Sequence, residues 1–422
     1  MAEHAGICAR TDGRTGANRP AEVESTARLN AGGLTSGPFY GCHVVDALLV
    51  VGLLVAVFVG FNIGGSSTGV AFGPAVGSGV VSKLAAAALM SGFALLGGWT
   101  AGREVIKTMG GEIVPQSQFT LAASVAVLLF VGLALLVSNT FGVPASTSMT
   151  AVGAIAGLGV ATGTLNESAM LEIVSWWIVA PILAFWVCAV VGRYVYPYLD
   201  ARFAIDRTEG PLLAFDPLPR LGEGTTRQEF GGTVLVVVIA CYMAFSAGAS
   251  NVANAVAPLV GNGAVSLEGG ILVAAGAIGL GAFTIARRTL DTVGNDLTDL
   301  PILAALVVEV VSATLIAVLS ALGIPASLAV SATMSIVGLG WGRATRTVTL
   351  GQAVRGEGPN VSVNALAAER RETVPRVGDA DDELTANDLF DPGTTGRVIF
   401  FWILTPSLSA LASFLLFRFV PL

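Results

Sequence analysis

Charge is scarce in this sequence. Only 12% of its 422 residues are Asp, Glu, Lys or Arg, against 54% that are hydrophobic, and so few ionised groups cannot solvate the surface of soluble domains. Histidine is nearly missing. The two present, His4 and His43, both precede the first apolar run, so no membrane-embedded serine has a base to activate it and no catalytic residues are expected; the chain reads as a non-enzyme. No GxxxxGK[ST] phosphate loop occurs, which removes ATP-driven transport by this chain alone. The four cysteines, Cys8, Cys42, Cys188 and Cys241, have neither metal nor disulfide spacing and read as packing residues. Residues 1–40 lack an apolar stretch followed by a cleavage site, so a polar cytoplasmic tail is expected there.

What the chain does have is glycine, 52 of them, and long apolar runs. Glycine lets membrane helices approach closely. Apolar spans fall near 44–63, 84–102, 119–140 and 171–192, then 231–247, 267–286, 301–322, 325–342 and 397–418. The fold class is an all-α polytopic membrane protein, placed in the plasma membrane. Its expected organisation is a tail over 1–43, a first membrane repeat over 44–192, a polar linker over 193–230, a second repeat over 231–342, an acidic polar loop over 343–396 and a C-terminal helix over 397–422 with no counterpart inside the repeat. Arginines in the tail, linker and loop put all three on the cytoplasmic side.

The repeat is visible in the residues. GGSSTGVAFGPAVGSG, Gly64 to Gly79, returns 184 residues later as GASNVANAVAPLVGNG, Gly248 to Gly263, with Pro74 matching Pro258 and Ser82 matching Ser266. At the same offset Arg103 meets Arg287, Thr108 meets Thr292, Gly110 meets Gly294 and Glu112 meets Asp296. At an offset of 185, Ser146-Thr147-Ser148-Met149 meets Ser331-Ala332-Thr333-Met334. Gly/Pro-interrupted segments in corresponding places of two halves point to a transporter's binding site. The stretches 64–80, 142–163 and 248–263 are accordingly expected to be broken or re-entrant helices, since exposed backbone at membrane depth needs a protein or water surround.

These residues resemble the inorganic phosphate transporter (PiT) family of cation-coupled phosphate permeases, which carries two GANDVANA-type and two PVSTTH-type motifs. Here the first pair reads Gly64-Gly65-Ser66-Ser67-Thr68-Gly69-Val70-Ala71 and Gly248-Ala249-Ser250-Asn251-Val252-Ala253-Asn254-Ala255. The second reads Pro144-Ala145-Ser146-Thr147-Ser148-Met149 and Val330-Ser331-Ala332-Thr333-Met334. The resemblance implies inverted repeats and phosphate transport coupled to sodium or protons. The family's motif aspartates fall on Ser67 and Asn251, and its histidines on Met149 and Met334.

Free N–H groups at broken helix ends, together with hydroxyls and amides, bind an oxyanion without a basic side chain. Ser66, Ser67, Thr68, Ser146, Thr147 and Ser148 from one half, with Ser250, Asn251, Asn254, Ser331 and Thr333 from the other, are the expected substrate cage. Ser67 and Asn251 can coordinate a sodium ion through neutral oxygens, whereas neither carries a proton. No other cofactor and no nucleic acid are expected; the lipid bilayer is the surrounding partner, and a homo-oligomer is left open. Sulfate or another oxyanion, and an anion channel on the same scaffold, stay open as alternatives. Arg103 and Arg287 read as interfacial arginines, Glu112, Asp296 and Asp299 as loop acids, and Glu172 and Glu309 as acids in or beside apolar runs that match no motif.

Overall fold

A computed structural model describes residues 39–141, 146–202, 213–216, 218–221, 227–286, 302–347 and 392–420. Expectations about residues 1–38, Pro144, Ala145, Arg287, Thr292, Gly294, Asp296, Asp299 and most of the acidic loop lie outside the described residues. Val44–Leu422 cluster as one compact unit, and Phe39–His43 begin its first helix.

The first half contains α1 (Phe39–Gly77), α2 (Lys83–Trp99), α3 (Gly102–Lys107) continued by a π turn (Thr108–Glu112), α4 (Leu121–Thr140), α5 (Thr147–Thr162), α6 (Glu167–Val190) and α7 (Tyr196–Arg202). A short antiparallel hairpin follows, β1 (Leu213–Asp216) against β2 (Leu218–Leu221). The second half contains α8 (Arg227–Gly261), α9 (Leu267–Thr284), α10 (Ile302–Ala321), α11 (Leu328–Ala344) and α12 (Pro392–Phe419). Among the described residues seven helices are long and apolar enough to cross a membrane, or eight if the pair Lys83–Trp99 and Gly102–Glu112, bent by 64°, is one span.

The breaks are not where the glycines suggest. Residues 64–77 continue α1 and residues 248–261 continue α8, so neither segment is a separate re-entrant piece. Two local reasons keep the helices whole. Ser66 and Thr68 bond back to Ile63 O at 3.1 Å and Gly64 O at 2.7 Å, covering backbone that the glycines would leave bare. Pro74 and Pro258 sit close to the ends at Gly77 and Gly261, so the lost amide affects only the last turn. The real breaks are the bend between α2 and α3 and the starts of α5 and α11.

Both copies of the motif end alike. Gly79 and Gly263 take left-handed φ of 70° and 78°, Val81 N–H bonds Ala75 O and Val265 N–H bonds Leu259 O, and Ser82 and Ser266 cap α2 and α9. The packing repeats as well, with partners exchanged between halves. A Cβ at Gly64 would stand closer than 3.0 Å to the Ile278 carbonyl of α9; its equivalent Gly248 has the same relation to Ala94 of α2, again 184 residues apart. Gly281 against Phe61 O and Gly97 against Phe245 O form the second such pair.

The orientation follows from contacts along α1 and α8. Gly52 lies beside Leu259 while Ser67 lies beside Asn251, so the two helices run in opposite directions and the repeats are inverted. α1 and α8 therefore start on opposite sides, and the expectation that the arginines put tail and linker on one side is corrected.

The last helix is not an addition. Gly153 and Gly157 of α5 pack on the Pro406 and Ala410 carbonyls of α12, and Gly338 and Gly342 of α11 pack on the Phe185 and Ala189 carbonyls of α6. Thus α12 stands to α5 as α6 stands to α11. The expectation that 397–418 lacks a counterpart is corrected: the long insertion before α12 hides the match to α6 by changing the offset. Apolar side chains such as Leu171, Ile178, Ile182 and Trp186 are exposed on α6, as a lipid-facing surface requires.

Candidate site at the meeting of the two repeats

Asn251, in the middle of α8, is the hub. Thr147, the first residue of α5, donates its hydroxyl to Asn251 Oδ1 at 2.5 Å, and Asn251 Nδ2 donates to Ser67 Oγ of α1 at 3.4 Å. The positions where the family has aspartates therefore touch each other across the repeat interface. One turn on, Asn254 Nδ2 lies within donor distance of Thr147 Oγ1 at 3.3 Å, Ser148 Oγ at 3.2 Å and Asn251 Oδ1 at 3.1 Å. Ser148 and Ser250 hydroxyls meet at 3.1 Å, and Ser250 also donates to Ala326 O at 2.8 Å. Asn254 Oδ1 is buried and receives no hydrogen bond among the described residues.

A small cavity opens beside this network, lined by Ser66, Ser67 and Val70 of α1, Thr147 of α5, Asn251 of α8, and Ser327, Leu328 and Ala329 at the start of α11. Its volume is about 30 Å³, room for a water or a single cation. Two helices begin at the cavity, α5 capped by Ser146 and α11 capped by Ser327. Their first-turn N–H groups lack carbonyl partners within the helix, so both positive helix ends face this space.

Of the eleven expected residues, Ser66, Ser67, Thr147 and Asn251 line the cavity, and Ser148, Ser250 and Asn254 form the network behind it. Ser146 is the α5 cap. Thr68 is fully buried and bonded to its own helix, and Thr333 bonds back to Ala329 O at 3.0 Å. Ser331 lies a turn inside α11 and does not line the cavity.

Of the broken helix ends expected around the site, the structure supplies two helix starts, α5 and α11, beside two continuous helices, α1 and α8. The second-half residues at the cavity are Ser327, Leu328 and Ala329 rather than Ser331 and Thr333. Sequence held the signal. Pro-Ala-Ser occurs at 144–146 and again at 325–327, an offset of 181, and both serines are helix caps, while the packing glycines Gly153 and Gly338 further along keep the offset of 185. Counted from the two caps, Thr147 corresponds to Leu328, so the cavity is polar on one side and apolar on the other.

Around this core, Trp177 Nε1 of α6 donates to Pro325 O at 2.9 Å and fixes the chain entering α11, while Ser409 of α12 donates to Thr150 O of α5 at 2.8 Å. The outer pair of helices positions the two helix starts. Arg103 lies over Trp99 and reaches Glu268 at 3.3 Å, an ion pair between α3 and α9 that is part-exposed and worth less than about 1 kcal/mol.

The sequence profile of the phosphate transporter family matches residues 63–413, which takes in every residue lining this cavity. The chain belongs to the phosphate transporter family. The sulfate permease CysP of Bacillus subtilis is 32% identical over 68% of this chain and 76% of its own length. A solved sodium-dependent phosphate transporter superposes with a TM-score of 0.63 over 88% of this chain and 98% of its own, at 18% identity, so the fold is shared. This transporter is thus a multi-pass membrane protein built on the family's scaffold.

Proposed function

We propose that the protein is a secondary transporter carrying inorganic phosphate across the plasma membrane by alternating access, driven by a sodium or proton gradient. The observation that carries this reading is the cavity where the two inverted repeats meet, with the starts of α5 and α11 facing it and no charged side chain in its lining. Two positive helix ends and a set of hydroxyl and amide donors suit a tetrahedral oxyanion. The cavity's present size, about 30 Å³, is too small for that anion, so the site must open before substrate enters, which favours a carrier over an open pore.

Asn254 Oδ1 supports phosphate over sulfate. At neutral pH phosphate retains a P–OH donor and sulfate has none; an unpartnered amide oxygen in the network behind the cavity is an acceptor for it once the site opens. Sulfate is the second reading, supported by the absence of a carboxylate at Ser67 and Asn251 and by the likeness to the Bacillus subtilis sulfate permease. For the cation, Ser67 Oγ and Asn251 Oδ1 are neutral oxygens at the cavity wall that fit sodium.

Uptake of radiolabelled phosphate into proteoliposomes tests this directly. Sodium-driven uptake that survives excess sulfate is expected. Uptake abolished by sulfate would transfer the assignment to sulfate, and uptake unchanged by removing sodium at fixed pH would remove sodium from the mechanism.

A further inference from the structure

The motif aspartates are missing, yet a carboxyl group does lie inside the membrane core. Glu309 sits in the middle of α10, 4% exposed, and neither of its oxygens meets a hydrogen-bond donor among the described residues. Leaving a carboxylate ionised without a partner in such a setting costs several kcal/mol.

The scaffold does not ask for the acid. α4 and α10 are both 20 residues long and occupy corresponding places in the repeats, so Glu309 stands where the first half has Leu128, a fully buried leucine. One side of the inverted pair packs with a hydrocarbon side chain at this point.

No titratable group on the neighbouring helices hydrogen-bonds the Glu309 carboxyl among the described residues. From α8, Tyr242 donates to Thr314 at 3.2 Å, and Cys241 is buried without reaching Glu309. From α11, Arg343 lies over the ring of Tyr196, which belongs to α7 together with Tyr198, Asp200 and Arg202. From α3, Arg103 pairs with Glu268 and Lys107 with Glu104. On α6, Glu167 and Glu172 are exposed and Cys188 is buried. No group of three His, Cys, Asp or Glu gathers anywhere among the described residues, and the hydroxyl of Ser312, one turn along, is bonded to Val308 O at 2.7 Å. A hard cation takes several oxygen ligands, which this surround does not provide. A proton needs one.

Position connects the acid to the site. Ser246 of α8 donates to Ala313 O, one turn beyond Glu309, and Ser250 donates to Ala326 O just past the end of α10. Following the same direction along α8 leads to Asn251, so Glu309 lies roughly 10–15 Å from the hub.

We propose that Glu309 is a proton-binding coupling site of this transporter. The assignment rests on the oxyanion reading above and deepens it. The cavity has room for one cation, and a divalent anion travelling with one sodium ion still carries a negative charge. A proton bound by the Glu309 carboxylate from one side of the membrane, and released from the carboxylic acid to the other, supplies the second positive charge.

The test uses the purified full chain in proteoliposomes with sodium equal on both sides, the membrane potential clamped at zero, and the interior one pH unit more alkaline. Coupling to one proton sustains about a tenfold accumulation of labelled phosphate or sulfate, about 1.4 kcal/mol. In Glu309→Gln, accumulation is expected to collapse to equilibration while anion-for-anion exchange continues. Accumulation in that variant equal to the wild type would overturn the proposal. Infrared difference spectra provide an arm independent of substrate: the wild type is expected to show a protonated-carboxyl carbonyl band that Glu309→Gln lacks, and absence of that band also overturns it. If the wild type moves neither anion, the oxyanion reading fails, and the infrared band still decides the proton site. Should Glu309→Gln fold poorly, Glu309→Leu, which copies Leu128, takes its place in both arms.

Discussion

Asn251→Leu is expected to lower phosphate uptake by at least about tenfold while the protein still assembles. Among the described residues the amide alone contacts Thr147 of α5, Ser67 of α1 and Asn254 of its own helix at once. Leucine fills a similar volume but takes away the acceptor of the Thr147 hydroxyl and the Nδ2 donor that reaches Ser67 Oγ, at about 1–3 kcal/mol for each group stranded, and about 1.4 kcal/mol already corresponds to a factor of ten. It also turns a polar wall of the cavity apolar on the side facing Leu328. Uptake and equilibrium phosphate binding, measured on protein whose thermal transition is recorded in parallel, separate a lost site from a lost fold. Wild-type binding with a normal transition would remove Asn251 from the site. The converse change, Asn251→Asp, restores the family's carboxylate and is expected to raise the preference for phosphate over sulfate, because the added acceptor repels an anion that has no proton to offer.

Gly248→Val is expected to prevent assembly altogether. Its Cβ would stand closer than 3.0 Å to Ala94 O and to the Ala94 Cα, and backbone cannot rotate out of the way as a side chain can. Overpacking commonly costs about 1–3 kcal/mol even where neighbours are side chains, and here the α8–α2 crossing must separate. Gly64→Val is expected to act the same way through Ile278. The controls are Gly92→Ala and Gly276→Ala, also a pair 184 residues apart, where nothing lies within 4 Å of the added methyl; they are expected to be neutral or stabilising by up to about 1 kcal/mol. Size-exclusion profiles in mild detergent read the difference. A monodisperse Gly248→Val protein with wild-type stability would show that the close crossing is dispensable.

Much of the architecture was legible because duplicated residues perform duplicated tasks. Gly79 with Gly263 and Ser82 with Ser266 have the same backbone role in both halves, so their spacing survived. The helix breaks are not legible from glycine and proline, which look like interruptions in the sequence. In the structure, hydroxyl back-bonds and a neighbouring helix cover the glycine backbone, and the prolines come too near the helix ends to break anything. Ser67 and Asn251, equivalent in the motif, lie within hydrogen-bond distance of each other, so their pairing is legible from the repeat alone. Ser327 was missed although its Pro-Ala-Ser context is repeated, because matching the more polar Ser331 and Thr333 favoured composition over the capping role. Glu309 has no partner in the repeat, so no alignment of the halves could give it a purpose; burial without a donor does.

The exchange of close crossings between halves has a consequence for origin. Gly64 needs Ile278, Gly248 needs Ala94, and each of the two helix starts at the cavity is braced by the other half's outer helix. A single unit of this repeat, alone in a bilayer, would leave bare glycine backbone facing lipid. Before duplication joined the halves, a stable ancestor therefore had to pair with an upside-down copy of itself, which requires one polypeptide to insert in both topologies. Fusion freed each half to fix its own direction and to diverge, and the acid carried by only one of them is a product of that freedom.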